Sequence, residues 1–278
     1  MNPSIAADYA SFKLKEIFLW EHCFKQVRDP KVRGAVPNCD PDKIANELHA
    51  FIPIKPMSID IDGYREYAQN ELYRGRYGKA LFEKTLEHYL AFNILDLQKD
   101  DIYIDIANAN SPCPYIYSRL SGCESYQQDL IFPQGLHGHT IGGDACEMPL
   151  PNSFCDKMTL HCSFEHFEGN SDSRFIREAC RVLKPGGKLC ILPLYFNTEY
   201  AIQTDPAKAL INADYDAIMY CKKGYKNRHG RFYDIPHFVE RVVKNLGDLK
   251  LTVYTVQNEK EVDPSCYIKF IGLFEKPI

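Results

Sequence analysis

GGDACEMPLPNSFCDKMTLHCSFEHFEGNSDSRFIREACRVLKPGGKLCILPLYF, residues 142–196, is the stretch whose reading decides the fold. It divides into three pieces. Phe154–Ser163 follows a Pro-Asn-Ser turn, carries apolar Phe154, Met158 and Leu160, and reads as a short buried strand. Asp172–Leu183 sets Phe175, Ile176, Ala179, Cys180, Val182 and Leu183 at helical spacing with charges between them. Asp172 or Ser173 can cap its start, and Lys184-Pro185-Gly186-Gly187 stops it. Lys188–Phe196 is a second apolar run. Strand, helix and strand within roughly 45 residues make a βαβ unit, hence a parallel sheet with a right-handed crossover.

Working outward, the final two strand-like runs are Leu249–Val256 and Cys266–Phe274, joined only by Gln257–Ser265. That link is too short for a helical crossover, so the last pair must be antiparallel. Upstream, Ile102–Ala107 reads as the first core strand, and Gly122–Asp129 as the second. Between Asp129 and Asp144 there is room for at most a single helical turn. Residues 1–98 read as helices at Ala6–Val27, Pro41–Ala50 and Ile61–Leu97, the last broken near Gly75 and Gly78.

The ordered pieces Gly143-Asp144-Ala145, Met148-Pro149-Leu150-Pro151, Phe154-Cys155-Asp156, Glu165-His166 and Arg181-Val182-Leu183-Lys184-Pro185-Gly186-Gly187 resemble the class I S-adenosylmethionine (SAM) dependent methyltransferases, in their small-molecule, type 11-like branch. The resemblance spans roughly residues 100–275. It implies an α/β fold: a Rossmann-like, seven-stranded, mostly parallel sheet with an antiparallel last strand, plus an N-terminal helical layer. The expected organisation is a helical cap or lid over 1–98 and a methyltransferase-like domain over 99–278, with an insertion at 196–231. The tyrosines Tyr64, Tyr67, Tyr73, Tyr77 and Tyr89 mark the cap, more as core than as substrate contacts.

The resemblance also assigns a cofactor, SAM, and candidate residues. Its acidic-x-Gly-x-Gly-x-Gly turn aligns with Asp105-Ile106-Ala107-Asn108-Ala109-Asn110-Ser111, so Ala107, Ala109 and Ser111 stand at the glycine places. Those glycines let a backbone turn tightly against the cofactor. Small residues keep most of that room, and Asn108 and Asn110 tolerate positive φ. Asp129 would take the ribose hydroxyls, a plain turn role for it staying open beside this, and Asp144 the adenine amino group, with Ala145 and His161 in the same cofactor set. Glu165-His166 is the catalytic candidate, with His166 a general base or substrate orienter; a purely structural role for the pair stays open beside it.

Five basic side chains crowd Lys222–Arg231, in a chain of net charge −4. Arg228 and Arg231 offer paired donors and Tyr225 a ring, so an anionic acceptor such as a sugar phosphate, nucleotide sugar or acidic metabolite is expected there; a solvated loop is the competing reading. A pI near 6.1 argues against nucleic-acid binding. Met1–Trp20 lacks the pattern of a targeting segment, and no apolar run is long enough for a bilayer. Eleven cysteines without C-x-x-C spacing read as reduced thiols of a soluble, cytoplasmic protein. A metal site, for instance His161-Cys162 with His137 and His139, lacks zinc spacing and none is expected. The function implied is methyl transfer to a small molecule. The alternative is a non-catalytic scaffold or partner subunit that kept the fold but lost the glycine loop. A nicotinamide-dependent dehydrogenase is disfavoured, because Gly-x-Gly-x-x-Gly is absent.

Overall fold

The computed structural model describes residues 34–205, 214 and 216–278, so the helix expected at Ala6–Val27 lies outside the described residues. The chain forms two compact units: Pro41–Phe164 with Asn170–Leu194 and Phe238–Ile278, and Met1–Asp40 with Glu165–Gly169 and Tyr195–His237.

The larger unit is built on one sheet. Its strands are β1 (Ile54–Met57), β2 (Ile102–Ile106), β3 (Glu124–Asp129), β4 (Gly135–His137), β5 (Thr140–Gly142), β6 (Cys155–His161), β7 (Leu183–Leu192), β11 (Lys250–Val256) and β12 (Phe270–Glu275); the three strands between β7 and β11 belong to the other unit. Their order is β1-β11-β12-β7-β6-β2-β3-β5-β4. The β2–β3, β2–β6, β6–β7 and β3–β5 pairs are parallel. As the short link after β11 requires, β12 runs antiparallel to both β11 and β7. This is a Rossmann-like fold.

Two strands exceed the seven expected. The segment between Asp129 and Asp144 is too short for a crossover helix, and the hairpin of β4 and β5 fills it. Gly142 is obligatory in this hairpin, because a Cβ there would lie 1.9 Å from the Pro133 carbonyl oxygen. At the opposite edge, β1 joins parallel to β11. The region before residue 98 is therefore not wholly helical. Pro56 lies within β1, and an edge strand is the place where a residue without an N–H fits.

The helix Leu81–Leu95 is buried along most of its length, including Glu83, Thr85, Glu87 and His88. It shares a core with Tyr64, Tyr73, Tyr103, Tyr117 and Leu192. The helix Ser171–Val182 turns Phe175, Ile176, Ala179 and Val182 inward, as its spacing predicts.

In the smaller unit, β8 (Ala201–Thr204), β9 (Ile218–Cys221) and β10 (Gly230–Phe232) form a three-stranded sheet in the order β10-β8-β9. The insertion expected at 196–231 is thus a small folded unit. No cysteine among the described residues forms a disulfide. No helix among them is long and apolar enough to cross a membrane.

Candidate active site

β2 ends in Asp105 and Ile106, and the chain then makes a sharp loop into the helix Cys113–Ser121. Ala107, Ala109 and Asn110 all sit at positive φ, at 52°, 48° and 62°. These are the conformations a glycine turn would adopt, reached here with Cβ atoms at a cost of about 1–2 kcal/mol for each alanine.

The surroundings over-determine that shape. Gln128 Oε1 accepts the Ala107 N–H, the Gln128 carbonyl accepts that of Asn108, and Asp129 Oδ2 accepts that of Ala109 at 2.8 Å. The Asn108 side chain donates to Asp105 Oδ2 at 2.7 Å and to the Ser111 carbonyl at 3.2 Å. From the region before β2, Tyr77 donates to Ser111 Oγ and Arg76 to the Asn110 carbonyl.

The loop borders a cavity of about 400 Å³ whose walls also include Lys84, His88, Asp105, His161, Cys162 and Ser163. Eight non-glycine residues among those described have positive φ. Five of them, Tyr77, Ala107, Ala109, Asn110 and Cys162, line this cavity. Strain concentrated in one concavity, at the carboxyl end of a parallel sheet, makes it the candidate ligand site.

Charge inside the cavity is set by burial. Asp105 is 1% exposed, and burial pushes its carboxyl up to about 6, against hydrogen bonds from Asn108 and Thr159 that favour the anion. Burial lowers His88 to about 3, aided by the Lys84 ammonium. His161 is held well below the usual imidazole range by burial, then by His88 and Lys84. Burial works most strongly against the Lys84 charge, but Glu87 at 2.9 Å, Cys162 and Tyr267 together outweigh it and keep the ammonium.

The sequence-expected cofactor residues divide. Asp105, Ala107, Ala109 and His161 line the cavity. Asp129, Asp144 and Ala145 lie outside its lining. Asp129 supports the loop and caps the Ile131 N–H. Asp144 Oδ1 accepts the Cys146 N–H, and Oδ2 stands 3.5 Å from Arg174. Ala145 is buried.

Glu165 and His166 belong to the smaller unit. His166 Nδ1 hydrogen-bonds the His229 carbonyl, His166 Nε2 lies 3.6 Å from Glu165 Oε1, and His229 Nδ1 bonds the Glu165 carbonyl at 2.9 Å. The pair thus fastens the 165–169 segment to the non-strand segment that leads into Gly230.

The basic loop departs from the open arrangement expected of it. Arg231 is fully buried, and its guanidinium donates to Tyr200, to the Phe167 and Gly169 carbonyls and to Asp214. Those bonds commit it to holding the unit together, so it is not a surface donor for a substrate. Arg228 is half exposed and pairs with Glu168. Asp205 accepts the N–H groups of Gly224 and Lys226, which ties the loop down. Tyr225 packs over Gly230, where a Cβ would meet its hydroxyl at 2.1 Å.

Sequence reasoning missed Lys84, His88 and Cys113. Lys84 and His88 lie in the stretch Ile61–Leu97, which reads only as helix, Cys113 opens a helix that the sequence reading did not identify, and a lone histidine on a helix gives no signal of its own.

Residues 124–191 match a protein family described as "Methyltransferase domain". No curated protein matches the chain. Among solved structures, the chain is similar to Burkholderia thailandensis 1,6-didemethyltoxoflavin-N1-methyltransferase, with bound 1,6-didemethyltoxoflavin and S-adenosylhomocysteine. Identity is 11%, coverage 88% of this chain and 93% of that one, and the TM-score 0.49. It is also similar to a SAM-dependent methyltransferase of Methanosarcina mazei, at 14% identity over 66% of this chain and 95% of that one, with a TM-score of 0.41. A third is the [4+2]-cyclase SpnF, at 13% identity over 85% and 92%, with a TM-score of 0.44. The matched segment runs from the start of β3 to the end of β7 but for Leu192, and β12 lies antiparallel beside it in an otherwise mainly parallel sheet, so the match falls on the Rossmann-like core of the larger unit.

Proposed function

We propose that the chain transfers a methyl group from SAM to a small-molecule acceptor, with the cofactor against the Asp105–Ser111 loop. The observation that carries this is the convergence of strained, non-glycine backbone on one cavity. A scaffold under no demand to bind a ligand has no reason to keep alanines at φ near 50°. The site also fits the cofactor: the side chains at the former glycine places are small, and the cavity is of ligand size.

A sulfonium methyl is already joined to a good leaving group. The work of the protein is then mostly alignment and exclusion of water. Tyr77, Arg76 and the end of β3 hold the loop in register. Lys84 and the neutral His88 and His161 present donors and lone pairs to whatever occupies the cavity. His166 has one ring nitrogen committed to the His229 carbonyl, and this favours its positional role over that of a base. A His166→Ala enzyme with wild-type turnover at saturating acceptor would rule out the base, while loss of folding would support the structural role.

An anionic acceptor is proposed from Lys222, Lys223 and Arg228. Arg228→Ala should then raise the acceptor KM, by tenfold or more if a charge-assisted bond worth about 1.5–3 kcal/mol is lost, and leave that for SAM unchanged. The test of the cofactor is thermal. SAM or S-adenosylhomocysteine at 100 times its Kd should add about 2.7 kcal/mol of stability. Asp144→Ala should weaken that binding by roughly 1–3 kcal/mol if Asp144 receives the adenine amino group. No shift with either compound in the wild type would favour the scaffold.

A further inference from the structure

Three side chains from three separate elements meet behind the cavity: His88 from the helix Leu81–Leu95, Cys113 from the start of the next helix, and His161 from the end of β6. One ligand atom from each lies within 4.8 Å of the others. Cys113 Sγ and His161 Nε2 are 3.4 Å apart. A tetrahedral zinc shell, with Zn–S of about 2.3 Å and Zn–N of about 2.0–2.1 Å, places its sulfur and nitrogen roughly 3.5 Å apart. We propose that His88, Cys113 and His161 form a three-ligand site for a zinc-type divalent ion, with the fourth position open to the cavity.

Four further features agree with it. The donor set, two imidazoles and a thiolate, suits a borderline ion and not magnesium or calcium. Next, His88 is oriented from behind. Its Nδ1 is 2.8 Å from the Tyr73 hydroxyl, which itself donates to Tyr67. Tyr73 therefore accepts the Nδ1 proton, leaving the other ring nitrogen its lone pair, as outer partners of metal-bound histidines do. His161 is the third feature. Its side chain is 6% exposed, Nδ1 has no hydrogen-bond partner, and Nε2 faces the Cys113 thiol at 3.4 Å with the Asp105 carboxylate beyond hydrogen-bond reach at 3.8 Å. With only a weak S–H donor within reach, the Nε2 lone pair is open to an ion, the ring proton then residing on Nδ1. The last feature is access: His88 and His161 line the cavity, so an ion can enter and a ligand can complete its shell.

The charges facing the site are compatible. Asp105 Oδ1 lies 3.8 Å from His161 Nε2, and the Lys84 ammonium is neutralised by Glu87. An ion would strip the Cys113 proton to the solvent, despite burial that otherwise holds that thiol well above its usual range. Ion, thiolate and Asp105 carboxylate then sum to about zero charge.

The test uses the full chain, stripped with a chelator and titrated with Zn²⁺ against a competing indicator, then with Co²⁺ as a spectroscopic probe. One zinc per chain is expected, with a thiolate-to-cobalt charge-transfer band and the intense visible bands of a tetrahedral site. Cys113→Ser should abolish the charge-transfer band. His161→Ala should weaken zinc at least tenfold. Cys39→Ser, in the other unit, should change neither. Should Cys113→Ser fail to fold, zinc protection of the wild-type Cys113 from alkylation, mapped by mass spectrometry, replaces it. Sub-stoichiometric zinc, a cobalt spectrum without the band, or an unchanged spectrum in Cys113→Ser would overturn the site. None of these readouts involves SAM or turnover, so they stand apart from the proposed methyl transfer.

Discussion

Asp129 Oδ2 accepts the backbone N–H of Ala109 at 2.8 Å, so the carboxylate that ends β3 holds the loop that follows β2. Ala109 is thereby kept at a φ of 48°, where an L-residue is strained. Stability is spent locally to keep a shape that glycine would adopt freely.

That strain can be released. Ala107→Gly and Ala109→Gly should each stabilise the protein, because about 1–2 kcal/mol of left-handed strain exceeds the roughly 0.4–1 kcal/mol of added unfolded-chain entropy. For a chain of this size the melting temperature should rise by a few degrees at most. A fall in melting temperature for both variants would show that the alanine methyl groups contribute packing that outweighs their backbone.

Arg231 offers a contrasting case. Arg231→Met should cost about 3–5 kcal/mol by removing from a buried site the guanidinium that donates to Asp214 and two carbonyls. The loss should show as faster proteolysis and hydrogen exchange in Tyr195–His237. A change confined to acceptor KM, with stability intact, would restore Arg231 to substrate binding.

Glu83 should shape the pH dependence of stability. It is 2% exposed, and burial raises its carboxyl from 4.5 to about 7, although it accepts the Tyr267 N–H. An acid with a raised folded-state pKa contributes fully below its unfolded value and loses that contribution as pH climbs through the folded one. Stability should therefore decline between about pH 4.5 and 7, on the order of 3 kcal/mol from this group alone at 1.36 kcal/mol per pH unit. Glu83→Gln should flatten the slope in denaturant titrations across that window; an unchanged slope would assign it to other groups.

The fold was legible where periodicity and link length speak together. Residues 142–196 announced the βαβ unit, and the brevity of Gln257–Ser265 forced the antiparallel β12. The hairpin of β4 and β5 was only half visible: the missing helix could be counted, but three-residue strands leave no pattern. β1 was hidden because Ile54–Met57 carries a proline and half-exposed residues, and its pairing with β11 is set by tertiary context. For the site, the residues after β2 could be placed by resemblance. The burial of Arg231 could not, since a cation in a basic run gives no sign that its partners, Phe167 and Asp214, lie far off in sequence. His88 was silent for the same reason.

The central claim is that the strained loop after β2 forms a SAM pocket. Titration calorimetry of the wild-type chain with S-adenosylhomocysteine tests it most directly, beside Ser163→Trp, which fills the cavity without replacing a strained residue. One equivalent should bind the wild type, and the folded Ser163→Trp variant should bind at least tenfold more weakly. No binding by the wild type, or equal binding by both, would contradict the account.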